Sequence, residues 1–170
     1  NRMSYNYKFI SSLKQLSQEK VDELEKVLLE SAKNTKKAFE VGTHAGYVSL
    51  LLAGHTGSLT TIDYDQFVSP NIDDHKKLNS MHFIDRYTGP DLVELFDKHF
   101  DDSYDLLYIQ RDIDSHIIVD RVKKIITKEV VVISYEKDTF KVEKIRPVKK
   151  TTKKTIKTPK AAVATETASV

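Results

Sequence analysis

Short apolar runs alternate with segments of helical periodicity along most of the chain. Runs rich in β-branched and aromatic residues are typical of strands, whereas apolar residues spaced three or four positions apart are typical of amphipathic helices. The pattern predicts strands at 39–43, 59–63, 81–85, 104–109, 130–134 and 139–145. It predicts helices at 13–31 (one helix or two, with Ser17 as a candidate N-cap), 47–53, 72–79, 92–96 and 113–126.

This alternation of strand and helix predicts a Rossmann-like α/β fold: a doubly wound, mostly parallel sheet between two layers of helices. The last strand, 139–145, follows a short turn and is expected to be an antiparallel edge strand. In the helix at 113–126, the predicted inward-facing residues are Ile117, Ile118, Val122, Ile125 and Ile126. The predicted domains are a leader and helix at 1–35, the Rossmann-like domain at 36–147 and a basic low-complexity tail at 148–170.

A glycine loop follows the first predicted strand and opens an apolar helix. Gly42 and Gly46 bracket this loop, and Asp63 stands where the second strand ends. A loop that opens a helix presents backbone N–H groups, and an acid at the neighbouring strand end can accept both ribose hydroxyls of a nucleoside. The middle glycine of a dinucleotide G-x-G-x-x-G fingerprint is replaced by His44, which argues against NAD as the ligand.

The run Glu40-Val41-Gly42-Thr43-His44-Ala45-Gly46-Tyr47 resembles the first motif of class I S-adenosylmethionine-dependent methyltransferases. It is closest to the form found in the catechol O-methyltransferase-like branch, Ser49 included, and residues 60–63 are similar to the second motif. The resemblance extends roughly over 37–134. It implies S-adenosylmethionine as cofactor, with Asp63 on the ribose. The other cofactor-binding residues that it implies are Glu40, Gly42, Thr43 and Gly46 around the glycine loop, and Thr88 and Gly89 after the third strand.

Several of these assignments have a plain structural alternative. Asp63 could merely end its strand in solvent. Glu40 could be an ordinary strand residue, and Thr88 or Gly89 could be the N-cap of the helix that follows.

The chain departs from the family after the fourth strand. There the resemblance implies a metal-binding Asp, but Gln110 stands in its place, and a neutral amide is a poor ligand for a hard cation. We therefore expect no metal. Asp112 or His116 is the candidate general base, although a helix N-cap is the more ordinary role for Asp112 or Asp114.

Composition and charge limit the number of domains and the kinds of site and partner that the chain can have. The chain has 170 residues, 39% of them hydrophobic, which fits one domain with a core, and it has no cysteine for disulfides or thiolate metal sites. No apolar run is long enough to span a membrane, and 1–20 has no apolar leader core, so a cytoplasmic location is expected. The tail at 148–170 has six Lys and one Glu; Lys149–Lys160 could contact nucleic acid non-specifically, or the tail could only aid solubility.

Two functional hypotheses result. The first is an S-adenosylmethionine-dependent methyltransferase acting on an unidentified acceptor, with a partner subunit as one way of completing its site. The alternative is a catalytically inactive relative that serves as a structural or interaction module. Gln110, the absence of a predicted helix after the fifth strand and the basic tail favour this alternative.

Overall fold

The computed structural model describes residues 17–44, 46–64, 84–110, 113–136 and 139–148. Within them the helices are α1 (Gln18–Ala32), α2 (Tyr47–His55), α3 (Leu92–His99) and α4 (Ser115–Ile125). The strands are β1 (Lys37–Val41), β2 (Ser58–Tyr64), β3 (Ile84–Gly89), β4 (Leu106–Ile109), β5 (Val130–Glu136) and β6 (Thr139–Ile145). The predicted helix at 72–79, the leader at 1–16 and the tail from Lys149 onward lie outside the described residues.

The six strands of the described chain form one sheet in the order β3-β2-β1-β4-β5-β6. Strands β1 to β5 are parallel, and β6 pairs antiparallel with β5. This confirms the predicted fold class. Successive strands move outward in one direction from β1 to β3 and in the other from β4 onward. The switch point therefore lies at the carboxyl ends of β1 and β4, where α/β sheets bind ligands.

A hydrophobic core fills each side of the sheet. On one side, α1 and α2 pack through residues such as Leu28 and Leu52 onto Ala38 and Tyr108. On the other side, α3 and α4 pack onto a face that includes Phe39, whose ring makes edge-on contacts with Phe96, Phe100 and Tyr104. The two cores confirm the three-layer arrangement. No helix in the described residues is both long and apolar enough to cross a membrane.

The third strand is longer than predicted and shifted along the chain. The prediction placed it at 81–85, but β3 runs from Ile84 to Gly89 in register with Leu59–Tyr64 of β2. An edge strand accepts polar residues such as Arg86 because one of its sides faces solvent, and Pro90 ends it because proline has no N–H for the ladder. The prediction ended the strand too early because the exposed polar residues of 85–88 hide its continuation.

Two helix starts, those of α1 and α4, agree with their predicted caps, whereas α3 begins at a cap that was not predicted. Ser17 accepts a hydrogen bond from the Lys20 N–H, so the candidate N-cap in the first predicted helix is confirmed. Asp91 caps α3, and Asp114 caps α4 by accepting from the His116 N–H. The predicted inward position of Ile117 is wrong: its side chain is 46% exposed, because α4 turns Ile118 and Val122 towards the sheet instead.

Candidate functional site

The loop between β1 and α2 is held in a left-handed backbone conformation. Its φ angles are +97° at Gly42, +47° at His44 and +88° at Gly46. The Gly42 N–H donates to the Ile62 carbonyl at 2.8 Å, which fastens the loop to β2. Thr43, which was predicted as the end of the strand, lies in this loop instead, because β1 ends at Val41. Left-handed backbone is costly for a residue with a Cβ, so a specific contact must hold His44 in place.

Asp63 supplies that contact. Its Oδ2 accepts the His44 N–H at 2.8 Å, and its Oδ1 accepts the Tyr64 N–H at 2.8 Å. The side chain is only 1% exposed. A carboxylate has about four acceptor positions. Backbone N–H groups of the described residues occupy two of these positions.

Glu40 is buried beneath the loop and joins three elements. Its Oε1 accepts the Thr61 hydroxyl of β2 at 2.7 Å and also accepts the Ser49 hydroxyl of α2. The hydroxyls of Thr61 and Thr43 lie 2.7 Å apart, which extends the chain of polar groups into the loop. Glu40 is 0% exposed. The structure therefore gives this residue a role in holding the loop, beyond that of an ordinary strand residue.

The ionisation of Glu40 is strongly perturbed. Burial raises its pKa to about 8, although the hydrogen bonds from Ser49 and Thr61 and the nearby His44 act in the opposite direction. Its second oxygen, Oε2, is buried without a hydrogen-bond partner among the described residues. The carboxyl is therefore mostly protonated at neutral pH.

The N-terminus of α2 opens directly from the loop. Gly46 is its N-cap, and no side chain of the described residues caps it. The helix dipole and the first-turn N–H groups together favour a negatively charged group at this position.

A mainly apolar cleft lies beside Asp63. Its described walls enclose about 180 Å³. They consist of His44, Asp63, Tyr64, Leu92, Val93, Ile113, Asp114, Ile117 and Ile118. The exposure of Ile117 is explained by its position on this wall. Flat apolar ligand groups are held by such walls, with a few polar groups fixing their orientation.

Most of the apolar wall of this cleft was not predicted from the sequence. Leu92 stands at the start of α3, and Ile113 stands just before α4. The available signal was an apolar residue directly beside each polar N-cap, Asp91 and Asp114. Placing these residues in the cleft requires knowing how each helix is rotated against the sheet, which only the structure shows.

Thr88 and Gly89 are the last residues of β3; the prediction that they follow the strand is wrong. Thr88 is exposed and pairs in register with Asp63, whereas Gly89 is buried against Leu95. The alternative role as a helix N-cap is also wrong, because Asp91 caps α3 by accepting the Val93 and Glu94 N–H groups. Adenine contact by Thr88 and Gly89 stays a prediction.

The structure separates His116 from the cleft. His116 lines a second, polar groove between α4 and the strands β5 and β6, together with Ser134 and Glu136 among others. Asp112, the other candidate base, lies outside the described residues. His116 is thus not among the residues that line the cleft beside Asp63, and the catalytic role of either residue stays a prediction.

Gln110 lies at the end of β4 and is 2% exposed. Its Oε1 accepts the Tyr108 hydroxyl at 3.1 Å. The Gln110 side chain also packs against the α-carbon of Gly42, where a Cβ would approach it to 2.7 Å. Within the described residues, no group of three or more histidine or acidic side chains is arranged to bind a metal ion.

Comparisons with known proteins agree on the fold. No protein-family model and no curated protein sequence matches the chain. Among solved structures, the O-methyltransferase TomG from Streptomyces achromogenes, in complex with SAM, matches with a TM-score of 0.52 and 18% identity over 66% of this chain and 54% of its own. M. jannaschii TYW2, in complex with AdoMet, matches with a TM-score of 0.52 and 16% identity over 70% of this chain and 53% of its own.

The YcgJ protein from Bacillus subtilis gives a TM-score of 0.53 and 13% identity over 66% of this chain and 50% of its own. The chain thus spans about half the length of these structures. At sequence identities this low, the structural matches establish the fold alone. The chain has a Rossmann-like α/β fold, which it shares with solved structures such as the O-methyltransferase TomG.

Proposed function

We propose that this protein binds S-adenosylmethionine and transfers its methyl group to an acceptor that is still to be identified. The observation that carries the proposal is the bond between Asp63 and the left-handed glycine loop at the edge of an apolar cleft. This arrangement lies at the switch point of the sheet. The SAM complex of TomG and the AdoMet complex of TYW2, which share the fold, support the choice of ligand.

The residues of the site suit the parts of this cofactor. Asp63 has acceptor capacity left for the ribose hydroxyls. The N-terminus of α2 suits the carboxylate, because the helix dipole and the first-turn N–H groups favour a negatively charged group there. The apolar wall that includes Leu92 and Ile113 suits the adenine ring. The described cleft is smaller than the roughly 300–1,000 Å³ of complete ligand sites, so we assign to it the base end of the nucleoside.

S-Adenosylmethionine supplies a methyl group that its sulfonium already activates, so the protein needs mainly to position the reactants and exclude water. Asp63 would fix the nucleoside, and the isoleucines of α4 would keep that part of the site dry. His116 and Asp112 stay candidate bases for acceptors that must lose a proton.

Replacing Asp63 tests this proposal. Asp63→Ala is expected to weaken S-adenosylmethionine binding by at least about 100-fold, because two hydrogen bonds to a charged acceptor are lost at about 1.5–3 kcal/mol each. Asp63→Asn keeps one acceptor oxygen, so its affinity for S-adenosylmethionine is expected to fall only about tenfold. Calorimetric titration measures both. The matched control is Asp91→Asn at the cap of α3, which should bind like the unchanged protein.

Asp63 also holds the loop, so folding must be checked in the same variants. The loss of its bonds to the His44 and Tyr64 N–H groups is expected to cost about 1–3 kcal/mol of stability. Affinities are therefore compared at a temperature where circular dichroism shows each variant folded. Unchanged affinity in a folded Asp63→Ala protein would refute the ribose role.

A second candidate function is cofactor binding without catalysis. The buried Gln110, bonded to Tyr108 where the resemblance implies a metal-binding Asp, favours it. S-Adenosylhomocysteine release distinguishes the two candidates. Cofactor-dependent release in the presence of a panel of hydroxyl, amine and nucleic-acid acceptors supports the methyltransferase, whereas tight binding with no release from any of them supports the second candidate.

A further inference from the structure

The outer edge of β6 is unpaired among the strands that the structure describes. β6 is the last strand of this sheet, and its partner is β5. Over its seven residues, alternate backbone N–H and C=O groups point away from β5. A strand edge of this length is a place where an extended segment can add by main-chain hydrogen bonds.

The two faces of β6 differ in polarity. On the α4 side, Lys141 and Glu143 line a polar groove, and the Lys141 Nζ lies 3.7 Å from the Glu143 Oε1. On the side of α1 and α2, the ring of Phe140 contacts that of Tyr135 edge-on, with 6.1 Å between the ring centroids. An added strand therefore needs polar side chains on the first side and apolar side chains on the second.

The apolar face extends to the edge of the described sheet. Val142 of β6 pairs in register with Ile133 of β5, which is completely buried in the core beneath α1 and α2. Val142 itself is 47% exposed. Burying it under another apolar side chain would be favourable.

Residues 3–9 of the chain have the matching pattern. Polar side chains occupy the even positions, and large apolar or aromatic side chains occupy the odd positions: Met3, Tyr5, Tyr7 and Phe9. This alternation is typical of a strand with one apolar and one polar face. The charges agree as well, because the groove on the polar side of β6 is lined by three carboxylates and two lysines, and the segment would bring Lys8 towards them.

The start of α1 places this segment within reach of β6. Glu25 of α1 accepts the hydroxyl of Tyr47, the first residue of α2, at the carboxyl end of β1. Ser17 lies about two turns earlier in the chain and therefore at that same end of the sheet. β6 also begins there, because it runs antiparallel to β5. The seven residues 10–16 can span up to about 23 Å, whereas neighbouring strands are about 4.8 Å apart.

We propose that residues 3–9 pair with the outer edge of β6 as an additional strand that runs antiparallel to it. Tyr5, Tyr7 and Phe9 then pack on the side of Phe140 and Val142. The polar side chains of the segment point towards α4. The inference does not depend on the proposed function. The added strand covers Val142 and closes an edge at which copies of the protein could otherwise associate.

Pairs of introduced cysteines test the predicted faces, because the chain has no cysteine of its own. Asn6→Cys or Lys8→Cys is combined with Lys141→Cys or Glu143→Cys in the full chain, which is then oxidised. Side chains on the same face of neighbouring strands are close enough for a disulfide, whereas those on opposite faces are not. At least one of these four pairs should form a disulfide within the same molecule.

Val142→Cys is the matched control, because Val142 lies between Lys141 and Glu143 but faces the other side of the sheet. Combined with Asn6→Cys or Lys8→Cys, it should give at least about tenfold less disulfide. Equal yields at the three positions of β6, or no disulfide in any pair, overturn the proposal. A disulfide between two molecules, seen as a dimer that a reducing agent dissociates, also overturns it and identifies a second copy as the occupant of the edge.

Hydrogen exchange gives an independent test without introduced cysteines. Tyr5→Ser combined with Tyr7→Ser removes apolar contacts of the added strand. The β6 N–H groups that point away from β5 should then exchange at least about tenfold faster than in the unchanged protein. Asn6→Ser, on the polar face, is the control and should exchange like the unchanged protein. Circular dichroism verifies that each variant is folded, and unaltered exchange in the folded tyrosine variant overturns the proposal.

Discussion

Glu40→Gln is expected to remove most of the pH dependence of stability between about pH 5 and pH 8. The pKa of Glu40 rises from an ordinary value of 4.5 to about 8 on folding, because the carboxyl is buried. Below pH 4.5 Glu40 is protonated in both the folded and the unfolded protein, and its full contribution to the free energy of unfolding is present. Between these values only the folded state holds it, so the free energy of unfolding falls by up to about 1.4 kcal/mol per pH unit. Above pH 8 Glu40 is ionised in both states, so the free energy of unfolding stops falling on its account.

The variant has its own cost, which does not depend on pH. Its amide places an N–H₂ group where Oε2 has no hydrogen-bond partner among the described residues, at a cost of about 1–3 kcal/mol. The variant should therefore be less stable than the unchanged protein at pH 5 and become equal or more stable as pH 8 is approached. Urea unfolding at pH 5, 6, 7 and 8 measures this, with Glu25→Gln as the control. Parallel stability curves for the unchanged protein and Glu40→Gln would contradict the buried neutral carboxyl.

Gly42→Ala is expected to be the most damaging single substitution in the loop, at about 2–4 kcal/mol of stability. The φ angle of +97° is strained for any residue with a Cβ. The added Cβ would also lie 2.7 Å from the Gln110 Cβ and 2.7 Å from the Ile113 Cδ1. Both contacts are too short, so the loop or the end of β4 must move. S-Adenosylmethionine affinity should fall together with stability, because Ile113 is part of the cleft wall.

Gly89→Ala is the control for this prediction. A Cβ at Gly89 would meet the side chain of Leu95 at 3.2 Å, and its φ is outside the left-handed region. Leu95 can shift by a few tenths of an ångström, so the expected loss is below about 1 kcal/mol. Thermal and urea unfolding of both variants measure the difference. Equal losses in the two would show that the conformation of Gly42 is not the controlling feature.

Much of the fold could be predicted because its signals are local. The apolar runs of β4 and β5 and the caps at Ser17 and Asp114 depend on residues a few positions apart. The edge strand β3 was misplaced because one of its sides faces solvent, which removes the apolar pattern that marks a central strand. Ile117 was predicted to face inward but is exposed. The reason is that apolar periodicity gives the rotation of a helix only to within about one residue.

The sequence by itself determined the glycine loop, the acid at the end of the second strand and the order of strands and helices, because each depends on neighbours along the chain. Only the tertiary structure decided what the acids do. Asp63 meets the N–H of His44, 19 positions away, and Glu40 meets Thr61, 21 positions away. Parallel pairing of β1 with β2 brings these residues together, and burial under α2 then determines their protonation. No pattern along the chain encodes that burial, since it arises when the helix closes over the sheet.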